Sequence, residues 1–166
     1  MTTLQDAAAL GRKESGLAVV STLRADGSIQ SSLVNAGVLP HPTTGEAVLA
    51  FVTYGKVKLA NLHARPQMAA TFREGWQWAT VEGRAQLAGP DDAQSWLDAE
   101  GLRLLLRAAF TAAGGQHDDW DEYDLVMAQQ RRTVVLVEPT RRLGRHGTCQ
   151  NPSGQSRTAS RVRRAV

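Results

Sequence analysis

The sequence predicts a mainly β domain, a small antiparallel β-barrel with helices on its outside. Three observations point there. About six stretches of strand length, apolar or alternating, are separated by turns that contain glycine. One short helical stretch follows the third of them. Two longer helical stretches come late, just before the last strand. Strands in that order, with so few interruptions, suggest a barrel flanked by helices.

The elements follow in chain order. Thr3 can cap a short helix with Leu4, Ala7, Ala8 and Leu10 on one side, ending near Gly11-Arg12-Lys13. Residues 16–23 read as a strand, and Arg24-Ala25-Asp26-Gly27 as a hairpin, because Asp-Gly favours a two-residue turn. The returning strand, 28–38, carries bulky Ile29, Leu33 and Val34 beside small polar Ser31, Ser32 and Asn35. That polar face is either solvent-exposed or the edge of a polar ligand site. His41, between two prolines in the loop 40–45, is expected to be exposed. Ala47 to Val52 form a continuous apolar run, the pattern of a strand buried on both faces. Thr53-Tyr54-Gly55 breaks the run, and Lys56 to Leu62 take helical spacing. His63-Ala64-Arg65-Pro66 ends that helix, since the residue before a proline is pushed out of α geometry.

Met68 to Phe72 form the next strand and Glu74-Gly75 the next turn. Trp76 to Leu87 then alternate, with Gly83 a bulge. Trp76 and Trp78 share a face. Such a pair more often lies in the core, and the other reading is a flat wall for a stacked ring system. Pro90-Asp91-Asp92 is read as the cap of a long helix over 92–113, with Trp96, Leu97, Leu105, Leu106 and Phe110 as its apolar contacts. Gly114-Gly115 stops it. His117 to Tyr123 open a second helix whose first turn is acidic, as the helix dipole prefers. The histidine beside those aspartates reads as part of a capped helix start, because neighbours in sequence on a helix do not face one metal. The last strand is placed at 133–138, and 139–144 close the domain.

Composition bounds the function. At 166 residues and 42% hydrophobic, the chain can bury one core. No apolar stretch reaches the roughly 18 residues of a membrane span, and the N-terminus lacks the pattern of a secretory signal. Cys149 is the only cysteine, which leaves no intramolecular disulfide and no cysteine metal site. A cytoplasmic protein is expected. The net charge of +3 divides unevenly: residues 1–144 hold 14 basic and 16 acidic side chains, a balance of −2, and residues 145–166 hold five arginines and no acid. The domain is thus 1–144, followed by a basic tail, 145–166, poor in apolar residues and expected to be disordered. His146 and Cys149 in that tail make a poor metal site. A nucleic-acid-binding domain would carry its positive charge on the folded part, so no nucleic acid is expected as partner.

The most informative stretch is the turn after the third strand. Only three lysines stand against sixteen arginines, and two of the three, Lys56 and Lys58, fall in this one turn. A strand, a glycine and a helix start make an anion seat: the free N–H groups and the helix dipole favour a phosphate, and lysines add point charge. The other reading is an ordinary solvated helix start. Spacing alone leaves both open.

AFVTYGKVKLANLHARPQMAATF, with its strand, basic turn, Asn-Leu, proline and small-residue strand, resembles the split β-barrel flavin and deazaflavin enzymes related to pyridoxamine 5′-phosphate oxidase. GWQWATVEGRAQL is similar to that family's Gly-Trp-…-Glu-Gly strand. HDDWDEY followed by MAQQRRTVVLV resembles the closing helix and strand of its actinobacterial branch, which uses the deazaflavin coenzyme F420. The resemblance spans about residues 4–144 and implies a homodimer with the site between subunits. It implies that Lys56 and Lys58 hold the cofactor phosphate. Val19, Val20, Ser21, Thr22, Phe51, Val52, Trp76, Gln77 and Trp78 would line the ring and its side chain, and Arg132 would meet the acidic tail. The implied activity is hydride transfer between reduced F420 and a small conjugated or unsaturated substrate. The alternatives are an FMN-dependent enzyme of the same fold and a non-catalytic F420 carrier. The strand 28–37 has no basic residue, whereas the FMN oxidase branch carries an arginine there; F420 therefore leads. Arg65 stands where relatives often have aspartate. No catalytic side chain is assigned; Tyr54 lies near the implied site and could donate a proton, a role the resemblance does not establish.

Overall fold

A computed structural model describes residues 3–143; the basic tail, with His146 and Cys149, lies outside the described residues. Six antiparallel strands close into a barrel: β1 (Leu17–Leu23), β2 (Ile29–Pro40), β3 (Ala47–Thr53), β4 (Gln67–Glu74), β5 (Gln77–Ala88) and β6 (Thr133–Leu143). Around the wall they run β1-β2-β3-β6-β5-β4. The helices are α1 (Leu4–Ala9), α2 (Lys56–Ala64), α3 (Ala99–Ala112) and α4 (Trp120–Gln129). Because every pairing is antiparallel, the barrel has two distinct rims. One rim collects the ends of β1, β3 and β5, the starts of β2, β4 and β6, and helix α2. The other holds the β2–β3 and β4–β5 turns.

Two cores share the wall. The barrel interior holds Val20, Phe51, Phe72, Val135 and Val137, with Ala7 and Leu10 at the end of α1 and Leu62 of α2 packed into it. A second core lies outside, where Val48, Ala50, Val134 and Leu136 meet Leu105, Leu106 and Ala109 of α3 and Tyr123 of α4. The unbroken apolar run of β3 follows: Val48, Leu49, Ala50 and Phe51 are each at most 1% exposed, because both faces are covered. Burying a Val, Leu or Phe side chain in this way contributes roughly 1.5–3 kcal/mol.

Helix α3 approaches β2 so closely that a Cβ on Gly37 would stand 2.0 Å from the Ala112 carbonyl oxygen. Gly37→Ala is therefore expected to destabilise the fold by about 1–3 kcal/mol through overpacking. A urea titration reads this as a lower midpoint at unchanged slope; an unmoved midpoint would show that α3 can shift at no cost.

Several expectations hold. Thr3 and Asp6 form a capping box at α1, Arg65 is extended before Pro66, and the β5–β6 register shifts between Glu82 and Gly83. Others are corrected. Asp26-Gly27 does not make a two-residue turn: β1 and β2 are joined by residues 24–28, closed by Arg24 N–H to the Ser28 carbonyl at 2.9 Å and Ser28 N–H to Asp26 Oδ1 at 2.9 Å. The long helix begins at Ala99, not near residue 92, because Asp98 is its cap, accepting from Gly101 N–H at 2.7 Å. Residues 89–92 instead form a tight turn, with Asp92 N–H bonded to the Gly89 carbonyl. His41 is 4% exposed rather than on the surface. Its Nδ1 accepts from Thr43 N–H, which leaves the Nε2–H to reach Gln86 Oε1 at 2.8 Å, and its ring lies against Trp96. Strand β6 runs past Pro139 to Leu143, since that proline stands opposite Gly83 at the bulge.

Candidate functional site

Helix α2 starts at Gly55, a cap with no side-chain acceptor, and has no acid in its first turn. Its leading N–H groups and dipole are therefore not neutralised by its own sequence. Lys56 is exposed. Lys58 is not: it is 6% exposed, its Nζ lies 5.5 Å from the centroid of the Phe51 ring, and it makes no hydrogen bond or ion pair among the described residues. Burial without a counter-charge lowers its pKa below the ordinary lysine value. A solvated helix start thus describes Lys56 and not Lys58. At the same rim Asn61 Nδ2 donates to Thr22 Oγ1 at 3.0 Å, and Thr22 donates to Gln30 Oε1 at 3.1 Å. The Ser32 hydroxyl is buried with no hydrogen-bond partner among the described residues.

Arg132 enters β6 at this rim, after Arg131 in a left-handed conformation (φ 49°). Its guanidinium lies 3.8 Å from the centroid of the Tyr54 ring, and Nε donates to Gln130 Oε1 at 2.8 Å. No carboxylate faces it among the described residues, and burial lowers its pKa. The contrast with its neighbours is informative: Arg103 and Arg107 both bind Asp124, and Arg131 binds Asp91. Arg132 and Val52 line a cavity of about 610 Å³ with Asn35, Phe110, Tyr123 and Met127.

The remaining predicted residues lie elsewhere. Trp76 and Trp78 are 69% and 45% exposed, so the reading of this pair as core is overturned. The inward positions of β5 there are taken by Ala79 and Val81, which leaves the tryptophans on the outer face. With Val19, Leu33 and Thr71 they line a second hollow of about 750 Å³. Gln77 is exposed at the start of β5. Ser21 and Thr22 border a third hollow, of about 390 Å³. Val20, Thr22 and Phe51 turn their side chains into the barrel at 0–1% exposure, so only their backbones are left to meet a ligand outside it. One chain brings Lys56, Lys58, Val52 and Arg132 to the α2 rim and leaves Trp76, Gln77 and Trp78 at the opposite rim.

Sequence reasoning missed the wall formed by Phe110, Tyr123 and Met127, whose helical spacing is the same as that of any core contact. Asn35 carried the one available signal, as part of the polar face it forms with Ser31 and Ser32 on β2. Its Nδ2 donates to the Ser15 carbonyl at 2.9 Å at the edge of the first cavity. The acidic segment before α4 is a cap, with Asp119 accepting from the N–H groups of Asp121 and Glu122.

The barrel, its flanking helices and a rim that carries Lys58 and Arg132 beside the acid-free first turn of α2 define a split-barrel protein of the class that binds flavin-type cofactors. Residues 4–142 match the pyridoxamine 5′-phosphate oxidase family, and the chain belongs to it. That family includes oxidoreductases. Among solved structures, the conserved hypothetical protein Rv2991 from Mycobacterium tuberculosis superposes with a TM-score of 0.58 at 16% identity, covering 85% of this chain and 82% of that one. The conserved protein DIP1874 from Corynebacterium diphtheriae gives 0.55 at 15%, over 87% and 94% of the two chains. A FAD-binding protein from Mesorhizobium loti gives 0.51 at 11%, over 84% and 91%. At these identities the likeness is one of fold.

Proposed function

We propose that this protein is an F420-dependent oxidoreductase, a cytoplasmic homodimer that uses the bound deazaflavin to transfer a hydride to a small conjugated or unsaturated substrate. The observation that carries this reading is the pair of cations, Lys58 and Arg132, that have no acid partner among the described residues, at the rim where α2 presents an uncapped N-terminus. A buried ammonium with no counter-ion is costly unless a ligand supplies the charge. A phosphodiester fits there, held by Lys58, the exposed Lys56 and the first N–H groups of α2. The carboxylates of the cofactor's tail fit Arg132, whose plane is fixed by Tyr54. Each charge-assisted hydrogen bond of this kind contributes about 1.5–3 kcal/mol. The cofactor supplies the hydride, and the protein orients the ring and shapes the space beside it. The second copy would bring Trp76, Gln77 and Trp78 to the cofactor held at the α2 rim.

A flavin is the second reading, favoured by the fold shared with the FAD-binding protein of Mesorhizobium loti. Against FMN stands β2, whose sequence IQSSLVNAGVLP has no cation to meet a flavin phosphate. Purified protein is expected to carry or take up a chromophore absorbing near ~420 nm, as deazaflavin does, rather than near ~450 nm, as FMN does. Titration by fluorescence quenching should give tighter binding for F420 than for FMN. The reverse order would replace this reading with the flavin one, and tight F420 binding with no turnover across a broad panel of acceptors would make the protein a carrier.

A further inference from the structure

The turn that follows β5 touches both cationic elements of the rim. Asp92 binds His63 Nε2, near the C-terminal end of α2. Asp91 binds the Arg131 guanidinium, through Nη2 and through Nε at 3.3 Å. The turn itself is fixed: its ends are joined by Asp92 N–H to the Gly89 carbonyl at 3.0 Å, and a Cβ on Gly89 would stand 2.4 Å from Thr133 Oγ1, so nothing larger than glycine fits beside β6. His63 Nδ1 lies 2.8 Å from the Leu59 carbonyl oxygen, one turn earlier on α2. Both ring nitrogens therefore face an acceptor. A neutral imidazole has one N–H and can satisfy only one of them; the imidazolium satisfies both.

We propose that Asp91 and Asp92 are positioning residues for the cofactor cations, Asp92 holding α2 through a doubly protonated His63 and Asp91 holding the Arg131-Arg132 corner. This rests on the cofactor reading given above. Neither aspartate binds a residue assigned to the ligand; each holds the element that carries one. The two arms leave one turn, one reaching the helix that carries Lys56 and Lys58, the other the residue next to Arg132. The charges around His63 are few. Asp92 and Asp91 face it from the turn, Asp91 being already paired with Arg131. Arg65, at the end of α2, is turned away to the Leu23 carbonyl.

The arrangement gives the anchor a direction in pH. The Leu59 carbonyl first, and then Asp92, raise the His63 pKa above its ordinary 6.5. A raised histidine contributes most below 6.5 and loses its contribution as pH rises through the folded value. The α2 arm is thus fully made below pH 6.5 and loses one of its two hydrogen bonds as pH rises through the raised folded pKa.

Three readouts test this on the full chain: the His63 imidazole titration by NMR, hydrogen exchange of the α2 amides corrected for intrinsic rate, and F420 affinity by fluorescence quenching. All are followed from pH 5.5 to 9 in wild type, Asp91→Asn and Asp92→Asn. In wild type the α2 amides are expected to lose protection as His63 deprotonates. Asp92→Asn should lower the His63 pKa, remove that step in exchange, and weaken F420 by about two- to fivefold on the acidic side only. Asp91→Asn should weaken F420 by a similar factor at every pH and leave the His63 step in place. Comparing each variant with wild type at the same pH cancels titration of the cofactor itself. A His63 that titrates at 6.5 and does not respond to Asp92→Asn overturns the inference. So does F420 binding that both variants leave unaltered. Absence of F420 binding by wild type at every pH overturns the cofactor reading and the positioning role with it.

Discussion

Lys58→Met is expected to raise the stability of the ligand-free protein while lowering its affinity for F420 by about ten- to a hundredfold. The two effects have one cause. The Lys58 ammonium is held at 6% exposure above the Phe51 ring with no counter-ion among the described residues, so the folded protein carries a desolvation cost that the unfolded chain does not. Methionine keeps most of the side-chain volume and removes the charge. The pH dependence distinguishes this from simple repacking. Because the folded pKa of Lys58 is lowered below 10.5, wild type gains stability as pH rises from that folded value toward 10.5, where the unfolded lysine also loses its proton. The advantage of the variant should be largest at neutral pH and shrink in alkali. Added salt should weaken F420 binding in wild type more steeply than in the variant. Thermal melts and F420 titrations on the same samples check both halves. Unchanged affinity in Lys58→Met and Lys56→Ala alike would remove the phosphate seat from this rim.

The barrel was legible because its signals are local. The run from Ala47 to Val52 has to be buried on two sides, Pro66 has to end a helix, and Gly83 sits where the Glu138 carbonyl would be 2.4 Å from any Cβ. What failed was equally local. Pro90-Asp91-Asp92 and Asp98 are both plausible caps by residue type, and only tertiary contacts decide between them: the first two aspartates are engaged by Arg131 and His63, and the third is left to the helix. His41 between prolines looks exposed until the chain folds Gln86 and Trp96 around it. The candidate site was legible by residue type and not by place. Alternation put Trp76 and Trp78 on one face, but no periodicity says whether that face meets the barrel interior or the outside. Which rim a segment occupies is a property of strand order. That order separates Lys56, Lys58 and Arg132 from Trp76, Gln77 and Trp78 within a single chain.

That separation makes the second copy the decisive test. On the outer wall Leu33 pairs with Val19 and Val19 with Thr71, and Leu33, Val19, Trp76 and Trp78 are 63%, 42%, 69% and 45% exposed. In the proposed homodimer this contiguous apolar surface is the one that would meet the second copy. Leu33→Glu is expected to bring the solution mass down from about twice the 17.9 kDa chain to a single chain, with the circular dichroism spectrum retained and F420 binding lost. The stronger form of the test uses two binding-deficient variants, Lys58→Met and Trp78→Ala. If each site takes its lysine from one chain and its tryptophan from the other, a mixed dimer has one doubly altered site and one intact site. Random mixing of equal amounts should then restore full-affinity binding at about one site in four, although neither variant alone has any. Subunit exchange before titration is confirmed by mass spectrometry. Mixing that restores nothing, or a monomeric Leu33→Glu protein that binds F420 like wild type, would place the whole site within one chain.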